Sequence, residues 1–161
     1  MASPLWIRKM LDLRGIPFEE LRHPDAYTAQ EVAQREHISG HRVAKVVVVM
    51  AQGRPVELIL PASRHVDLQR VRTVLNTQDV RLATEKEMER YFADCEVGAI
   101  PPLRHWKDVT VLMDRSLNVE GPILFQAGTH QDAVRLNFQD WYEMVNPQVA
   151  TFSEQAEPTH A

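Results

Sequence analysis

Lys45 is the one chemically active side chain in an unexpected place. It stands inside the apolar run Val43-Ala44-Lys45-Val46-Val47-Val48-Val49-Met50-Ala51, where an ammonium is costly unless it is paired, hydrated or turned into a cavity. Two readings follow: a lysine snorkelling from the end of a strand, or one facing a polar pocket. Gly98-Ala99-Ile100-Pro101-Pro102 forms a loop stiffened by its prolines, fit to be a rigid connection or the wall of a pocket. Gly128-Thr129-His130 ends a strand candidate and is either a turn or the support of an imidazole that positions a ligand or water. Cys95, close to the first loop, reads as a small buried hydrophobe rather than a nucleophile.

Other chemistries lose their support. The chain carries no GxGxxG, GxxxxGK[ST], HExxH, CxxC or GxSxG pattern, which removes the sequence case for dinucleotide, Walker-type, zincin, thioredoxin and elbow-serine sites. His37 and His41 have ligand spacing, but Ser39-Gly40 interrupts any helix between them, so no metal site and no cofactor are expected. No Ser-His or Cys-His pair is recognisable, which disfavours covalent catalysis and leaves water as the simplest nucleophile. The 161 residues hold 18 Lys and Arg against 22 Asp and Glu, a net charge of -4. The balance is +3 over residues 1–72 and -7 over 73–161, which argues against binding DNA or other nucleic acid by bulk attraction. Two short stretches, Arg35 to Lys45 and Arg64 to Arg72, offer either a local basic patch or ordinary solvated surface. One cysteine rules out an internal disulfide and suits a reducing compartment. The start lacks a signal peptide's pattern and no apolar run is long enough to cross a bilayer, so a cytoplasmic protein without membrane contact is expected.

The elements that must position these residues follow from periodicity. Leu5 to Leu13 after Pro4 is an amphipathic helix ending at Gly15. Phe18–Leu21 is a short strand, and His23-Pro24-Asp25 a turn. Thr28, with Glu31 three residues on, caps a helix over 28–36. The run at 43–51 predicts a strand buried on both faces, turned at Gln52-Gly53-Arg54 into an antiparallel partner over 56–60. A helix follows from Asp67 to Leu75, then a strand at Val80–Leu82 and a helix capped by Thr84 and Glu87. Strands are expected at 109–113, 123–127 and 133–136, then a last helix over 138–145 capped by Asn137. The polar tail 148–161, with an exposed Phe152, is expected to be disordered. The sum is a single compact domain of mixed α/β (α+β) class over residues 1–147, a central mixed sheet flanked by helices.

Taken in order, His23-Pro24 with Thr28, Glu31 and Ala33, then Ala44-Lys45-Val46-Val47-Val48, then Gly98-Ala99-Ile100-Pro101-Pro102, then Ala127-Gly128-Thr129-His130, the motifs resemble the YbaK/ProX family. That family comprises the editing insertion domain of bacterial prolyl-tRNA synthetase and free-standing trans-editing deacylases, and the match runs over residues 3–147. The resemblance implies hydrolysis of the ester of a mischarged tRNA, with the tRNA acceptor end as partner and an aminoacyl-tRNA synthetase as a second candidate partner. It implies that Lys45 holds the tRNA end or the charge developing on the ester, and that Gly98, Ala99 and Ile100 offer backbone N–H groups to the carbonyl. His23, Thr28, Pro102, Gly128 and His130 fall to substrate binding by the same likeness. Ala99, Ile100, Pro101 and Val47 would form a small apolar sieve suited to alanine, serine or cysteine. Relatives often carry a glycine shortly after the loop proline, where this chain has Leu103-Arg104-His105-Trp106. The rival expectation is a non-catalytic module binding an aminoacyl or nucleotide-like ligand, or a synthetase-interacting protein of the same fold.

Overall fold

The computed structural model describes residues 4–23 and 28–155. Pro4 closes the N-terminus of α1 (Leu5–Leu13), whose Ile7 and Leu11 point into the core. After β1 (Phe18–Arg22) the predicted turn at Pro24 and Asp25 lies outside the described residues. Thr28 Oγ1 accepts from Glu31 N at 3.1 Å and opens α2 (Ala29–Arg35).

The valine run forms β2 (Ala44–Ala51), and β3 (Arg54–Pro61) returns against it with Lys45 opposite Leu60. Gln52 and Gly53 both take positive φ, 51° and 77°, the backbone sense whose twist matches a two-residue hairpin. The short β4 (Arg64–Val66) leads to α3 (Leu68–Leu75), capped by Asp67. β5 (Val80–Leu82) pairs with β2, and the Thr84–Glu87 capping box starts α4 (Glu85–Tyr91). Next come β6 (Thr110–Asp114), β7 (Pro122–Gln126), β8 (Asp132–Asn137), α5 (Phe138–Val145), β9 (Gln148–Ala150) and β10 (Ser153–Gln155).

These strands build a five-stranded sheet in the order β5-β2-β3-β6-β9, antiparallel across β5, β2 and β3 and parallel from β3 through β9. An antiparallel sheet β1-β8-β7 and a ribbon β10-β4 complete the architecture. Two apolar layers result, because strand side chains alternate between faces. Val49, Val56, Leu58 and Leu60 meet Val71 of α3 on one side. On the other, Ile59, Val111 and Met113 meet the second sheet together with α1 and α5. The mixed α/β class predicted from the sequence is the one observed.

The tail requires a correction. Residues 148–155 are ordered into β9 and β10, and Phe152 is fully buried against Leu58, Leu60 and Leu112. Burying one such ring stabilises by about 2–3 kcal/mol. Asp114 secures the segment, its Oδ1 accepting from the Phe152 and Ser153 amides at 2.8 and 2.9 Å. The rest of the predicted tail, 156–161, lies outside the described residues.

Candidate active site

A cleft of about 410 Å³ opens where β2 begins. Thr28 and Gln30 reach it from α2, Lys45 and Val46 from β2, Ala62 and His65 from the β3–β4 corner, and Gly98 from the loop after α4. Three residues singled out in the sequence, Thr28, Lys45 and Gly98, are thus brought together by three separate elements. Lys45 is half-buried and makes no ion pair among the described residues. Desolvation lowers its pKa from the ordinary lysine value, because burial penalises the ammonium. Lys45 thus stands at the beginning of its strand and lines the cleft.

The loop from 95 to 103 is fastened from behind. Glu96 N donates to Gly128 O at 2.8 Å, and Gly128 N donates to Ala99 O at 2.8 Å. Trp141 Nε1 donates to Pro102 O at 2.8 Å, and Leu103 N to Pro101 O at 2.8 Å. Gly98 stands exposed at the crest with φ 89°, and among the described residues its N–H engages no acceptor. Ala99 N, expected to be a free donor, is instead spent on Glu96 O at 3.0 Å.

Other expected members stand outside the cleft lining. Ile100 packs with Val48 and Phe92, and Ala99, Pro101 and Pro102 are buried. Val47 turns to the α3 side with Val49 and Leu60. The four-residue sieve is therefore not assembled as expected, and the small residues that line the cleft are Ala29, Val46 and Ala62. Gly128 has φ 92°, and a Cβ there would stand 2.5 Å from Pro4 Cδ. Thr129 Oγ1 donates to Asp132 Oδ2 at 2.5 Å, closing the turn, and His130 N donates to Glu96 Oε1 at 3.1 Å. His23 N donates to Gln131 O at 2.9 Å. Both histidines are buried beside the β7–β8 turn, where they brace the loop's anchor.

Gln30 is a cleft residue that sequence reasoning missed, and His65, read there only as a member of a candidate basic patch, is another. Gln30 Nε2 donates to Ala62 O at 3.1 Å, tying α2 to the β3–β4 corner. Four arginines of the two basic stretches serve the fold: Arg42 donates to Glu120 O, Arg64 and Arg70 to Ser153, Arg72 to Val80 O. A Ser-His contact, which the sequence did not reveal, also exists, with Ser63 Oγ 2.7 Å from His41 Nδ1. Ser63 does not line the cleft and His41 is exposed, so the pair links the Gly40–Arg42 turn to the β3–β4 corner. Burial, with Asp94 adding to it, pushes the Cys95 thiol up to about 12, which leaves it protonated and inert.

A small mixed α/β domain with a half-buried lysine, unpaired among the described residues, in a cleft at the end of its sheet is the class that fold and geometry define. Within that class, the chain belongs to the aminoacyl-tRNA editing domain family, whose match spans residues 23–144. It is 27% identical over 133 residues to the proline–tRNA ligase of Aquifex aeolicus, covering 81% of this chain and 22% of the ligase. Against the enzyme of Gloeobacter violaceus it is 30% identical over 134 residues, covering 79% and 22%. The chain thus spans about a fifth of the length of these ligases. A solved structure described as a candidate trans-editing enzyme for prolyl tRNA synthetase superposes with a TM-score of 0.81 at 21% identity, covering 96% of this chain and 99% of that one. A hypothetical protein gives 0.82 at 19% identity, over 92% and 99%. At these identities the likeness is one of fold. Among the described residues no helix is long and apolar enough to cross a membrane.

Proposed function

We propose that this protein is a trans-editing aminoacyl-tRNA deacylase that hydrolyses the ester of a mischarged tRNA carrying alanine, serine or cysteine, with tRNA-Pro as the first tRNA to test. The observation that carries this reading is Lys45, half-buried and without an ion-pair partner among the described residues, facing the exposed Gly98 crest across one cleft. An ammonium held there without a carboxylate is poised for an anionic ligand, and a terminal phosphate or a developing ester oxyanion supplies one. The Gly98 N–H is the second donor in this reading, and the Thr28 hydroxyl a third polar contact. Water attacks the aminoacyl carbonyl, assisted by the substrate's neighbouring ribose hydroxyl; the ester C–O bond breaks and the tRNA hydroxyl leaves with a proton. Ala29, Val46 and Ala62 take over the role of the sieve, leaving room for a short side chain and excluding a bulky one by volume.

Family membership and the proline–tRNA ligase relatives support this substrate class. The whole chain then works as one editing domain in the cytoplasm, on the tRNA acceptor end, alone or beside a synthetase. The test is release of labelled amino acid from a panel of mischarged tRNAs by the intact protein and by Lys45→Ala. Rapid release that depends on Lys45, from small aminoacyl groups and not bulky ones, is expected. Absence of release from every pair, with the protein folded, would overturn the enzymatic reading and leave a binding module.

A further inference from the structure

A second hollow, of about 440 Å³, lies at the tip of the β2–β3 hairpin. Lys45 pairs with Leu60 at one end of that hairpin and Ala51 with Arg54 at the other. At about 3.3 Å per residue the two sites are roughly 20 Å apart, so this hollow is no extension of the cleft.

Its lining combines three chemistries. Tyr91 and Trp106 form an aromatic wall, with ring centroids 6.1 Å apart and planes 31° from parallel. Phe92 backs the indole at 5.6 Å, which holds the wall in place before any ligand arrives. Arg54 and Arg90 supply two cations; both are exposed, and the Arg90 guanidinium carbon lies 5.4 Å from the Tyr91 ring centre. Neither makes a hydrogen bond or ion pair with another described residue, in contrast to Arg42, Arg64, Arg70, Arg72 and Arg104, which are spent on backbone carbonyls. Asp108 adds a single carboxylate on the same rim.

We infer that this hollow is a nucleotide-binding site separate from the Lys45 cleft. A nucleotide matches all three features: the base stacks on the Tyr91–Trp106 wall, the phosphate meets Arg54 and Arg90, and Asp108 accepts from ribose hydroxyls or an exocyclic amine. An acidic peptide would use the arginines but leave the aromatic wall unused. The inference is independent of whether the cleft hydrolyses anything. The ligand comes either as a free mononucleotide or as one residue of an RNA strand, and the same chemistry serves both.

The experiment measures binding of AMP and, separately, of a fluorescently labelled single-stranded RNA octamer to the full chain at two salt concentrations. Variants are Arg54→Ala/Arg90→Ala, Trp106→Phe, and, as a control, Lys9→Ala, an exposed cation that lines neither hollow. Both arginines are exposed, so the double variant keeps the fold. Binding is expected to weaken about tenfold or more in that double variant, with a shallower salt dependence, and to be unchanged in Lys9→Ala. Ligand should quench tryptophan emission in the parent protein, and the quench should shrink in Trp106→Phe while binding persists. Arginine-dependent binding of AMP identifies a free-nucleotide site; such binding of the octamer alone identifies an RNA contact. No binding of either, or binding indifferent to Arg54 and Arg90, overturns the inference, as does displacement of the octamer by an acidic peptide as readily as by RNA.

Discussion

Replacing Gly128 by alanine tests how the loop beneath the cleft is held. The new Cβ would stand 2.5 Å from Pro4 Cδ and 3.1 Å from Pro4 Cγ, on a backbone at φ 92°. An L-residue with such a φ costs about 1–2 kcal/mol, and forcing a carbon into a packed contact costs about 1–3 kcal/mol more. Pro4 cannot simply swing aside, because it opens α1, whose Ile7 and Leu11 are locked in the core. A loss of roughly 3 kcal/mol corresponds, for a domain of this size, to a Tm lower by about 6–12 °C. Gly15→Ala is the internal control. It has φ 64° with nothing within 4 Å of the added carbon, so only the strain of about 1 kcal/mol remains, a drop of about 2–4 °C. Thermal unfolding followed by circular dichroism reads both. Pro4→Gly placed on Gly128→Ala should recover part of the loss, a non-additivity expected of residues in contact. Because Gly128 bonds both Glu96 and Ala99, deacylation should fall more in Gly128→Ala than in Gly15→Ala at a temperature where both are folded. Equal Tm values for the two glycine variants would refute the packing argument.

Three further outcomes are expected. Lys45→Met should lower kcat/KM by about 10²-fold or more without lowering Tm, since the desolvated ammonium gives the fold nothing, and Lys45→Arg should not restore turnover because a planar guanidinium does not fit a point-charge site; a Met variant that unfolds earlier than the parent would contradict this. Glu57 is fully buried with Oε1 2.5 Å from His105 Nδ1, and burial raises its pKa above the ordinary carboxylate value despite that partner. The folded state therefore holds the proton more tightly, and this contribution is present below the ordinary value and lost as pH rises through the raised one; Glu57→Gln should flatten that fall in a Tm-against-pH series, and identical slopes would count against it. For Asp114 the sign reverses. Burial opposes its charge, but hydrogen bonds from Ser116, Phe152 and Ser153 outweigh burial and hold its pKa below 3.8, so its contribution is present above that value and lost as pH falls through the lowered one. Asp114→Asn should remove this acid sensitivity, cost about 1–3 kcal/mol, and strip hydrogen-exchange protection from the Phe152 and Ser153 amides; undiminished protection would show that the carboxylate does not hold the segment.

Local signals were legible where a few adjacent residues carry the whole cause. The Thr84–Glu87 box, the Asn137 cap and the Gln52-Gly53 turn needed no knowledge of distant chain. Lys45 was legible because a charge inside a run of valines contradicts its neighbours. Val47 shows the limit of that logic: it shares a strand face with Lys45, yet two residues of rise carry it under α3, where it joins Val49 and Leu60. Gln30 and His65 look like any exposed polar residues until Ala62 and Lys45 are folded against them. The strands β4, β9 and β10 are three residues each, too short for an alternation to stand out. Phe152 read as exposed because the surface that buries it, built from Leu58, Leu60 and Leu112, lies about 40 to 90 residues earlier in the chain.

The β10–β4 ribbon carries a consequence in time. His65, on the cleft's rim, belongs to β4, and β4 acquires its hydrogen-bonding partner only when Ser153–Gln155 arrive, with Arg64 and Arg70 already waiting to donate to Ser153. During synthesis at about 5–20 residues per second, the β2–β3 hairpin and Lys45 emerge several seconds before that partner. The nascent chain therefore passes through a stage in which the lysine is in place and one wall of its cleft is an open strand edge. Closing that edge is among the last steps of assembly, so a ribosome-bound chain stalled before residue 153 should display Lys45 within an unfinished site.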